Sequence, residues 1–357
     1  EPREQAKAIG AYTFVAVAGG SIGLLAGGVL TETINWHWIF FVNLPIGVAT
    51  ALLARRLVDP GEGIGLGRGV DALGALLLTG GLMIAVYAIL EAGERGWGST
   101  QTLAFGGAGV ALVAAFIVRQ SRVANPLVPL RLFGSRNVSG ANGVQALLVV
   151  GMFGMFFLGA LYLQRILGYD ALEVGLAFLP WTIVMAVMSF RFTARLNLRF
   201  GPRATLIPAL VVIAAGLLLF ARTPTDATYV VDILPSMILM GFGTGLAFPS
   251  LMTLAMSGAT AEDAGLASGL VNTSVQVGGA IGLAVLATLA TERTDALARN
   301  GESAANALNG GYHLAYLVGA ALVLVAIVVA VTVLRPAEAA AEEHEPAAAN
   351  PGYSEAA

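Results

Sequence analysis

The sequence predicts an all-α integral membrane protein with about ten transmembrane helices. Its composition is 57% hydrophobic and only 11% charged, whereas soluble domains carry roughly 25% charged residues. Ten stretches without Asp, Glu, Lys or Arg follow one another along the chain, and a bilayer-spanning helix needs about 17–25 apolar residues. One such stretch would also fit a buried helix of a soluble protein, but ten in series favour a lipid solvent.

The charge-free stretches are separated by short loops. In chain order they are residues 8–31, 33–54, 72–90, 96–118, 137–164, 174–190, 204–221, 233–261, 264–291 and 303–334. The shortest, 174–190, is flanked by Arg191 and Arg195, whose aliphatic stems reach toward the headgroups. The tail 336–357 is rich in Ala, Glu and Pro, so we expect it to be disordered.

Arginine and lysine predict the orientation. If ten helices alternate across the membrane, 14 of these residues lie on the side of the termini and 5 on the other. The positive-inside rule then predicts that both termini are cytoplasmic, in a multi-pass protein of the plasma membrane. Trp36, Trp38 and Trp97 fall in or beside the outer loops, which is typical of an interfacial aromatic belt.

Several function classes are disfavoured. The chain has no cysteine and three scattered histidines, so we predict no metal site, no catalytic residues and no cofactor. A polytopic membrane enzyme would need clustered His or acidic residues on one aqueous side. The arginines are spread over short loops rather than gathered on one domain, so no nucleic-acid partner is expected.

A repeated glycine pattern indicates two related halves. Gly19-Gly20-Ser21-Ile22-Gly23 and Gly278-Gly279-Ala280-Ile281-Gly282 lie at a constant offset of 259 residues. Composition alone is one explanation; internal repeats of the kind found in transporters are the other. In that case residues 1–57 hold the last two helices of a first six-helix half, and 58–136 hold two linker helices. Residues 137–335 are then the second half and 336–357 the cytoplasmic tail.

Specific segments resemble a known family. The glycine-rich stretch 19–28 and the segment 35–47 (NWHWIFFVNLPIG) look like the antiporter motif and its sequel in the EmrB/QacA-type exporters. These exporters are the fourteen-helix drug:proton antiporter branch of the major facilitator superfamily. Residues 126–133, 162–164, 175–180 and 265–270 are also similar to recurring family segments. The likeness runs from about residue 6 to residue 334.

The resemblance implies a partial 6+2+6 bundle in which this chain holds ten of fourteen helices and lacks the first four. It implies proton-driven export of small hydrophobic or amphipathic compounds, with lipid, substrate and protons as partners. Two positions depart from the motif: Leu24 replaces its proline and His37 its usual arginine. Because no Asp or Glu lies deep in the ten stretches, we expect the coupling acid in the missing helices, with His313 as a second candidate.

Three sets of candidate site residues follow from spacing and resemblance. Gly19, Gly23 and Gly27 form one stripe on a helix, and Gly28 joins them in the antiporter motif. The stripe fits either tight helix packing or a surface on which the two halves slide. The candidate substrate path consists of amide, Met and Phe side chains that lie on one face of each of two helices: Asn142, Gln145, Met152, Phe156, Asn272 and Gln276. The alternative role of its amides is hydrogen bonding between helices. Arg199, Gly201 and Arg203 resemble a gating loop, and simple positive-inside anchoring is its alternative.

The predicted function is therefore secondary active export of drug-like compounds by proton antiport. Alternatives are a truncated fragment that inserts without transporting, and a superfamily transporter of another small metabolite. Substrate identity, stoichiometry and oligomeric state are not predicted.

Overall fold

The computed structural model describes residues 19, 23, 26–57, 71–123, 126–128, 130–257 and 264–336, and this part of the chain contains helices and no strand. Nine of its helical segments are long and apolar enough to cross a membrane. They match the second to tenth charge-free stretches, and the predicted all-α membrane fold is confirmed. The first stretch, 8–31, lies mostly outside the described residues.

The helices alternate with short connections along the chain. They are α1 (26–33), α2 (Trp38–Phe41), α3 (Asn43–Leu57), α4 (Ala72–Arg95), α5 (Thr100–Gln120), α6 (Arg136–Arg165), α7 (Ala171–Val187), α8 (Ala194–Phe200), α9 (Pro202–Phe220), α10 (Leu234–Met256), α11 (Ala264–Arg299) and α12 (Ala304–Thr332). A π-helix, Met188–Thr193, joins α7 to α8, and another, Tyr229–Ile233, precedes α10. A 3-10 turn, Leu130–Gly134, precedes α6.

Short polar side chains begin five of the helices by accepting a hydrogen bond from a free backbone N–H of the first turn. These N-caps are Asp71, Ser99, Ser135, Asp170 and Ser303. Gly201 separates α8 from α9 with a φ of 83°, a left-handed conformation that glycine adopts without strain. Pro202 follows at the first position of α9, where its missing N–H is not needed.

The buried core lies in the second half of the chain. Helices α6, α9, α10 and α12 pack against one another, with α7 on α10 and α11 on α6 and α12. The largest fully buried side chains include Tyr162, Phe178, Phe220 and Tyr316. Helices α4 and α5 form a hairpin whose tight packing requires Gly109, because a Cβ there would lie 2.9 Å from the Ala85 nitrogen. The hairpin packs on α11.

The segment Trp38–Leu57, formed by α2 and α3, has no buried residue in its most apolar stretch. Phe40, Leu44 and Leu53 are among its exposed apolar side chains. A helix that is apolar and unburied on all sides requires a lipid environment or helical neighbours rather than water.

Helix α11 extends past the charge-free stretch 264–291 that predicted it. Its 36 residues rise about 54 Å, whereas the hydrocarbon core is about 30 Å thick. Its charged end, which includes Glu292 and Arg293, therefore projects beyond the core, where charge is no obstacle to a helix.

Candidate functional site

Two amides on α6 lie in different environments. The Asn142 side chain is buried; its Nδ2 donates to the Val138 carbonyl, and its Oδ1 accepts a hydrogen bond from the Ser274 hydroxyl of α11 at 2.8 Å. Gln145 is 1% exposed, and its Nε2 has no hydrogen-bond partner among the described residues. Asn142 thus makes the interhelical bond that was the alternative to a substrate contact. Gln145 retains a free buried donor, which is costly unless a ligand or water meets it.

Met152 and Phe156 continue the same face of α6 and are partly buried. The Phe156 ring centroid lies 4.8 Å from that of Phe178 and 5.9 Å from that of Trp181, both on α7. Trp181 Nε1 donates to the Thr244 hydroxyl of α10 at 3.2 Å. These three rings, Phe156, Phe178 and Trp181, are called the aromatic cluster below. The cluster forms an apolar surface between α6 and α7, and the Trp181–Thr244 hydrogen bond connects it to α10.

The two amides of α11 lie on its exposed face. Asn272 and Gln276 are exposed, and Asn272 Nδ2 donates to the Ser268 carbonyl of its own helix. The opposite face packs on α6, since a Cβ on Gly278 would lie 3.1 Å from the Ala146 Cα. The six residues of the candidate path therefore do not form one cluster: the α6 amides are inside the bundle and the α11 amides on its surface.

The glycines of α1 and the residues just before it are mostly open. A Cβ on Gly19, Gly23 or Gly27 would meet no described atom within 4 Å. Gly28 is buried, and a Cβ there would lie 2.9 Å from the Ala171 carbonyl oxygen at the start of α7. Gly28 is thus the point of close approach between α1 and the second half of the chain.

The candidate gating loop connects to the end of α12. Arg203 donates hydrogen bonds from Nε to the Ala330 carbonyl and from Nη2 to the Val331 carbonyl. These carbonyls belong to the last turn of α12, whose negative dipole end attracts a cation. The Arg199 guanidinium lies 5.1 Å from the Phe200 ring centroid. Gly201 supplies the turn that sets the two arginines on successive helices.

A close contact between α7 and α10 was missed by the sequence analysis. A Cβ on Gly241 would lie 2.5 Å from the Trp181 carbonyl oxygen, and one on Gly245 would lie 2.6 Å from that of Met185. Ser189 and Thr193, in the π-helix that follows α7, both donate to the Gly245 carbonyl, at 2.9 and 3.0 Å. The alternate glycines 241, 243 and 245 were the available signal, because small residues permit close helix packing in membranes.

Acidic groups lie at the ends of the described spanning helices. Glu91 pairs with Arg95, with 2.7 Å between the carboxylate oxygen and Nε, and Asp232 accepts from the Thr228 N–H. His313, near the start of α12, contacts the Thr223 carbonyl through Nε2 at 2.8 Å. Within the described spans, these acidic and histidine side chains therefore lie near helix ends and not in the middle of the bundle.

Asp71 anchors the α4–α5 hairpin at one end. It accepts hydrogen bonds from the Gly74 N–H, Arg119 Nε and Gln120 Nε2 at 2.7–2.8 Å. Burial raises the pKa of its carboxyl, but these three donors outweigh that effect, so the net pKa lies below the usual 3.8. The group is ionised at neutral pH and fixes the α4 start to the α5 end.

Comparison with known proteins decides the family. A profile of the Major Facilitator Superfamily matches residues 1–283. The chain belongs to this superfamily. Its members are transporters, so the prediction that the chain belongs to a transport family rather than to an enzyme family is confirmed.

Similar proteins within the superfamily carry names from antibiotic resistance. The puromycin resistance protein pur8 of Streptomyces alboniger is 39% identical over 96% of this chain and 69% of its own length. The cephamycin export protein CmcT of Amycolatopsis lactamdurans is 35% identical over 81% of the chain and 60% of its length. The tetracenomycin C resistance and export protein of Streptomyces glaucescens is 31% identical over 80% of the chain and 53% of its own length. The chain thus spans between about half and about two thirds of these relatives.

Proposed function

We propose that this superfamily chain forms ten helices of a fourteen-helix drug:proton antiporter that exports small hydrophobic or amphipathic compounds from the cytoplasm. The observation that carries the proposal is its similarity, at 31–39% identity, to proteins named for antibiotic resistance or export. Residues 58–136, between the two proposed halves, contain the α4–α5 hairpin, as expected for two linker helices in a 6+2+6 order.

The interior of α6 supports an apolar cargo with a hydrogen-bonding group. The aromatic cluster and Met152 offer a soft, polarisable surface that adapts to varied apolar shapes. Gln145 adds a buried donor without a partner in the described structure. Binding sites for drug-like molecules combine mainly apolar walls with a few such polar groups. Gln145, Met152 and Phe156 are therefore the proposed cargo contacts of α6.

The α11 amides and the α1 glycines are proposed to face the path between the two halves. Exposed Asn272 and Gln276 are unfavourable against lipid tails, so a wet cavity is the environment that suits them. The open stripe of Gly19, Gly23 and Gly27 allows another helix to slide past at close range. Gly28, already in contact with α7, would then stay near the pivot of that motion.

Proton coupling is proposed from the family resemblance. A carboxylate that is neutralised in one state and charged in the other is the usual carrier, and we place it outside the described spans. His313 is the second candidate. Replacing His313 with Gln should then leave the pH dependence of export unchanged, and loss of that dependence would assign coupling to the histidine.

Membrane orientation is proposed from charge. The loops rich in arginine, which include Arg119, Arg122 and Arg136, are assigned to the cytoplasmic face of the plasma membrane, together with both ends of the chain. Under this assignment Arg203 holds the end of α12 at the cytoplasmic face. Release of this contact is proposed to accompany opening toward the cytoplasm.

Inverted membrane vesicles from cells that express the protein test the proposal. Puromycin, chosen from the name of one relative, should accumulate in vesicles with an acidic lumen, and nigericin should abolish the accumulation by collapsing the pH gradient. Vesicles without the protein are the control. If the protein inserts but no tested compound accumulates above the control, the chain is a non-transporting product. If accumulation survives nigericin, proton antiport is wrong.

A further inference from the structure

A cavity of about 710 Å³ lies between the α4–α5 hairpin and the second half of the chain. Its walls are almost wholly apolar and come mainly from five spanning helices, α4, α5, α6, α11 and α12. They include Leu78 and Leu82 of α4, Phe116 and Ile117 of α5, Val150 of α6, and Val277, Ile281 and Val285 of α11. None of the proposed cargo contacts of α6 lines this cavity.

The hairpin is hydrogen-bonded to α11 at one end of the cavity. There, Trp97 Nε1 donates to Glu292 Oε1 at 3.0 Å, and the Thr288 hydroxyl lies 3.5 Å from the Ile89 carbonyl. Toward the other end of the hairpin, Leu78 and Leu82 of α4 and Val277 of α11 line the cavity. The cavity therefore lies between the helices on the side away from the Trp97–Glu292 contact, and it is called the wedge below.

A polar clamp lies at the end of the wedge opposite the Trp97–Glu292 contact. Gln120, which lines the cavity, donates to Asp71 and accepts a hydrogen bond from the Val128 N–H at 3.1 Å. Every polar atom of that side chain is thereby engaged in holding the wall. The Thr273 and Ser274 hydroxyls, which also line the wall, donate to the Gly269 carbonyl and to Asn142 Oδ1. The wedge consequently offers a ligand mainly apolar contact.

Two arginines lie close in sequence to residues that line the polar end of the wedge, here called its rim. Arg122 follows Gln120 by two residues and Arg136 follows Phe133 by three, and both arginines are exposed. Asp71, the carboxylate next to this rim within the described residues, is already paired with Arg119 at 2.7 Å. An arginine near a membrane surface attracts an anionic lipid headgroup.

We propose that this wedge binds an anionic glycerophospholipid, with an acyl chain between the hairpin and α11 and the phosphate at Arg122 and Arg136. The long apolar wedge inside the spanning region matches a hydrocarbon chain. The charge at its mouth matches the phosphate. The bound chain fills the space between the hairpin and α11 and so stabilises the attachment of the hairpin to α11. The proposal does not depend on which compound the protein exports.

Native mass spectrometry of the whole protein, purified from nanodiscs of phosphatidylcholine and phosphatidylglycerol, tests the site. Wild-type protein should retain phosphatidylglycerol. The double variant Arg122→Gln, Arg136→Gln should lose affinity for it by roughly thirty-fold relative to phosphatidylcholine. Arg293→Gln, at the exposed opposite end of the molecule, is the matched charge control and should retain the lipid as the wild type does.

Filling the wedge tests the acyl-chain part. Val277→Trp should abolish retention, and Leu82→Phe provides a second filling variant if the first does not fold. Val110→Trp, on an exposed face of α5 outside the cavity, is the control and should bind normally. Equal retention in the Val277→Trp and Val110→Trp proteins would overturn the proposal. So would a wild type that retains a hydrophobic drug in the wedge but no phospholipid.

Discussion

At the scale of single residues, the amides of α6 separate a structural role from a binding role. Asn142 and Gln145 are three residues apart and both buried, yet Asn142 is hydrogen-bonded to Ser274 and Gln145 Nε2 has no partner in the described structure. A hydrogen-bonded amide holds two helices together, whereas a buried amide without a partner weakens the fold unless a ligand accepts its hydrogen bond. Substitution should therefore affect the two positions in opposite ways.

Gln145→Leu should leave thermal stability unchanged or higher, because removing an unpaired buried amide relieves a penalty of about 1–3 kcal/mol. Export of compounds with a hydrogen-bond acceptor should fall, while export of compounds without one should not. Detergent-solubilised thermal unfolding and vesicle uptake measure the two effects. Asn142→Leu is the comparison: it breaks the bond to Ser274 and should lower stability by about 0.6–2 kcal/mol. Lower stability in Gln145→Leu would mean that its amide has a structural partner.

The sequence could place these residues on a helix face but could not name their partners. Spacing identified Asn142, Gln145, Met152 and Phe156 as one row of α6. The partner of Asn142 is 132 residues away, and no local pattern carries that information. The aromatic cluster was missed for the same reason, since Phe178 and Trp181 meet Phe156 only after α6 and α7 have packed.

At the scale of elements, the contact between α7 and α10 depends on glycine. The Gly245 position brings α10 within reach of the Met185 carbonyl, and the following π-helix then directs Ser189 and Thr193 to the Gly245 carbonyl. A π-helix has no simple sequence signal, and π-bulges are frequent at functional sites. The charge-free stretch 174–190 consequently predicted the helix but neither its π-helical segment nor its continuation to Phe200.

Gly245→Ala should destabilise the protein by about 1–3 kcal/mol, because the added methyl group overpacks a backbone contact that cannot relax cheaply. Gly107→Ala on α5 is the matched control, since a Cβ there meets nothing within 4 Å. It should stabilise slightly, by about 0.5–1 kcal/mol, through helix propensity. Thermal unfolding in detergent compares the pair, and an equal response of both variants would contradict the proposed close contact.

The α4–α5 hairpin should show a pH dependence that originates at Asp71. Because the pKa of this carboxyl is lower in the folded protein than the usual 3.8, ionised Asp71 contributes stability that is fully present above that value. The contribution is lost as the pH falls through the lower folded pKa.

Asp71→Asn should therefore be less stable than the wild type at neutral pH, with the difference shrinking below about pH 4. Proteolysis of the hairpin in detergent at a series of pH values measures it, with Glu302→Gln, on an exposed loop, as control. A difference that stays constant down to pH 2 would show that the carboxylate charge is not what holds the hairpin.

At the scale of the whole molecule, hydrophobicity predicted the described membrane-spanning helices, whereas the orientation inferred from arginine stays a prediction. Charge-free stretches located the nine described spans because an ionised side chain deep in hydrocarbon is expensive for any sequence. They did not predict how the hairpin attaches to α11, because the Trp97–Glu292 bond joins residues 195 positions apart. The first predicted helix, 8–31, lies mostly outside the described residues and stays a prediction.

Reporter fusions test the proposed orientation. Alkaline phosphatase fused after Arg95 or Arg299 should be active, since it would be exported, and fusions after Arg68 or Arg136 should be inactive. Green fluorescent protein at the same four sites should give the reverse pattern. A pattern inverted at all four sites would reverse the proposed topology. A pattern inverted at Arg68 but not at Arg136, or the reverse, would mean that the hairpin does not cross the membrane twice.

Burial of a single indole has a practical consequence. Of the four tryptophans, Trp36, Trp38 and Trp97 are exposed, whereas Trp181 is 3% exposed and packed within the aromatic cluster. A protein with the three exposed indoles changed to Phe would emit from one site beside the proposed cargo contacts. Its emission wavelength and quenching would then report cargo binding without any attached dye. They would do so even in a chain that never completes a transport cycle.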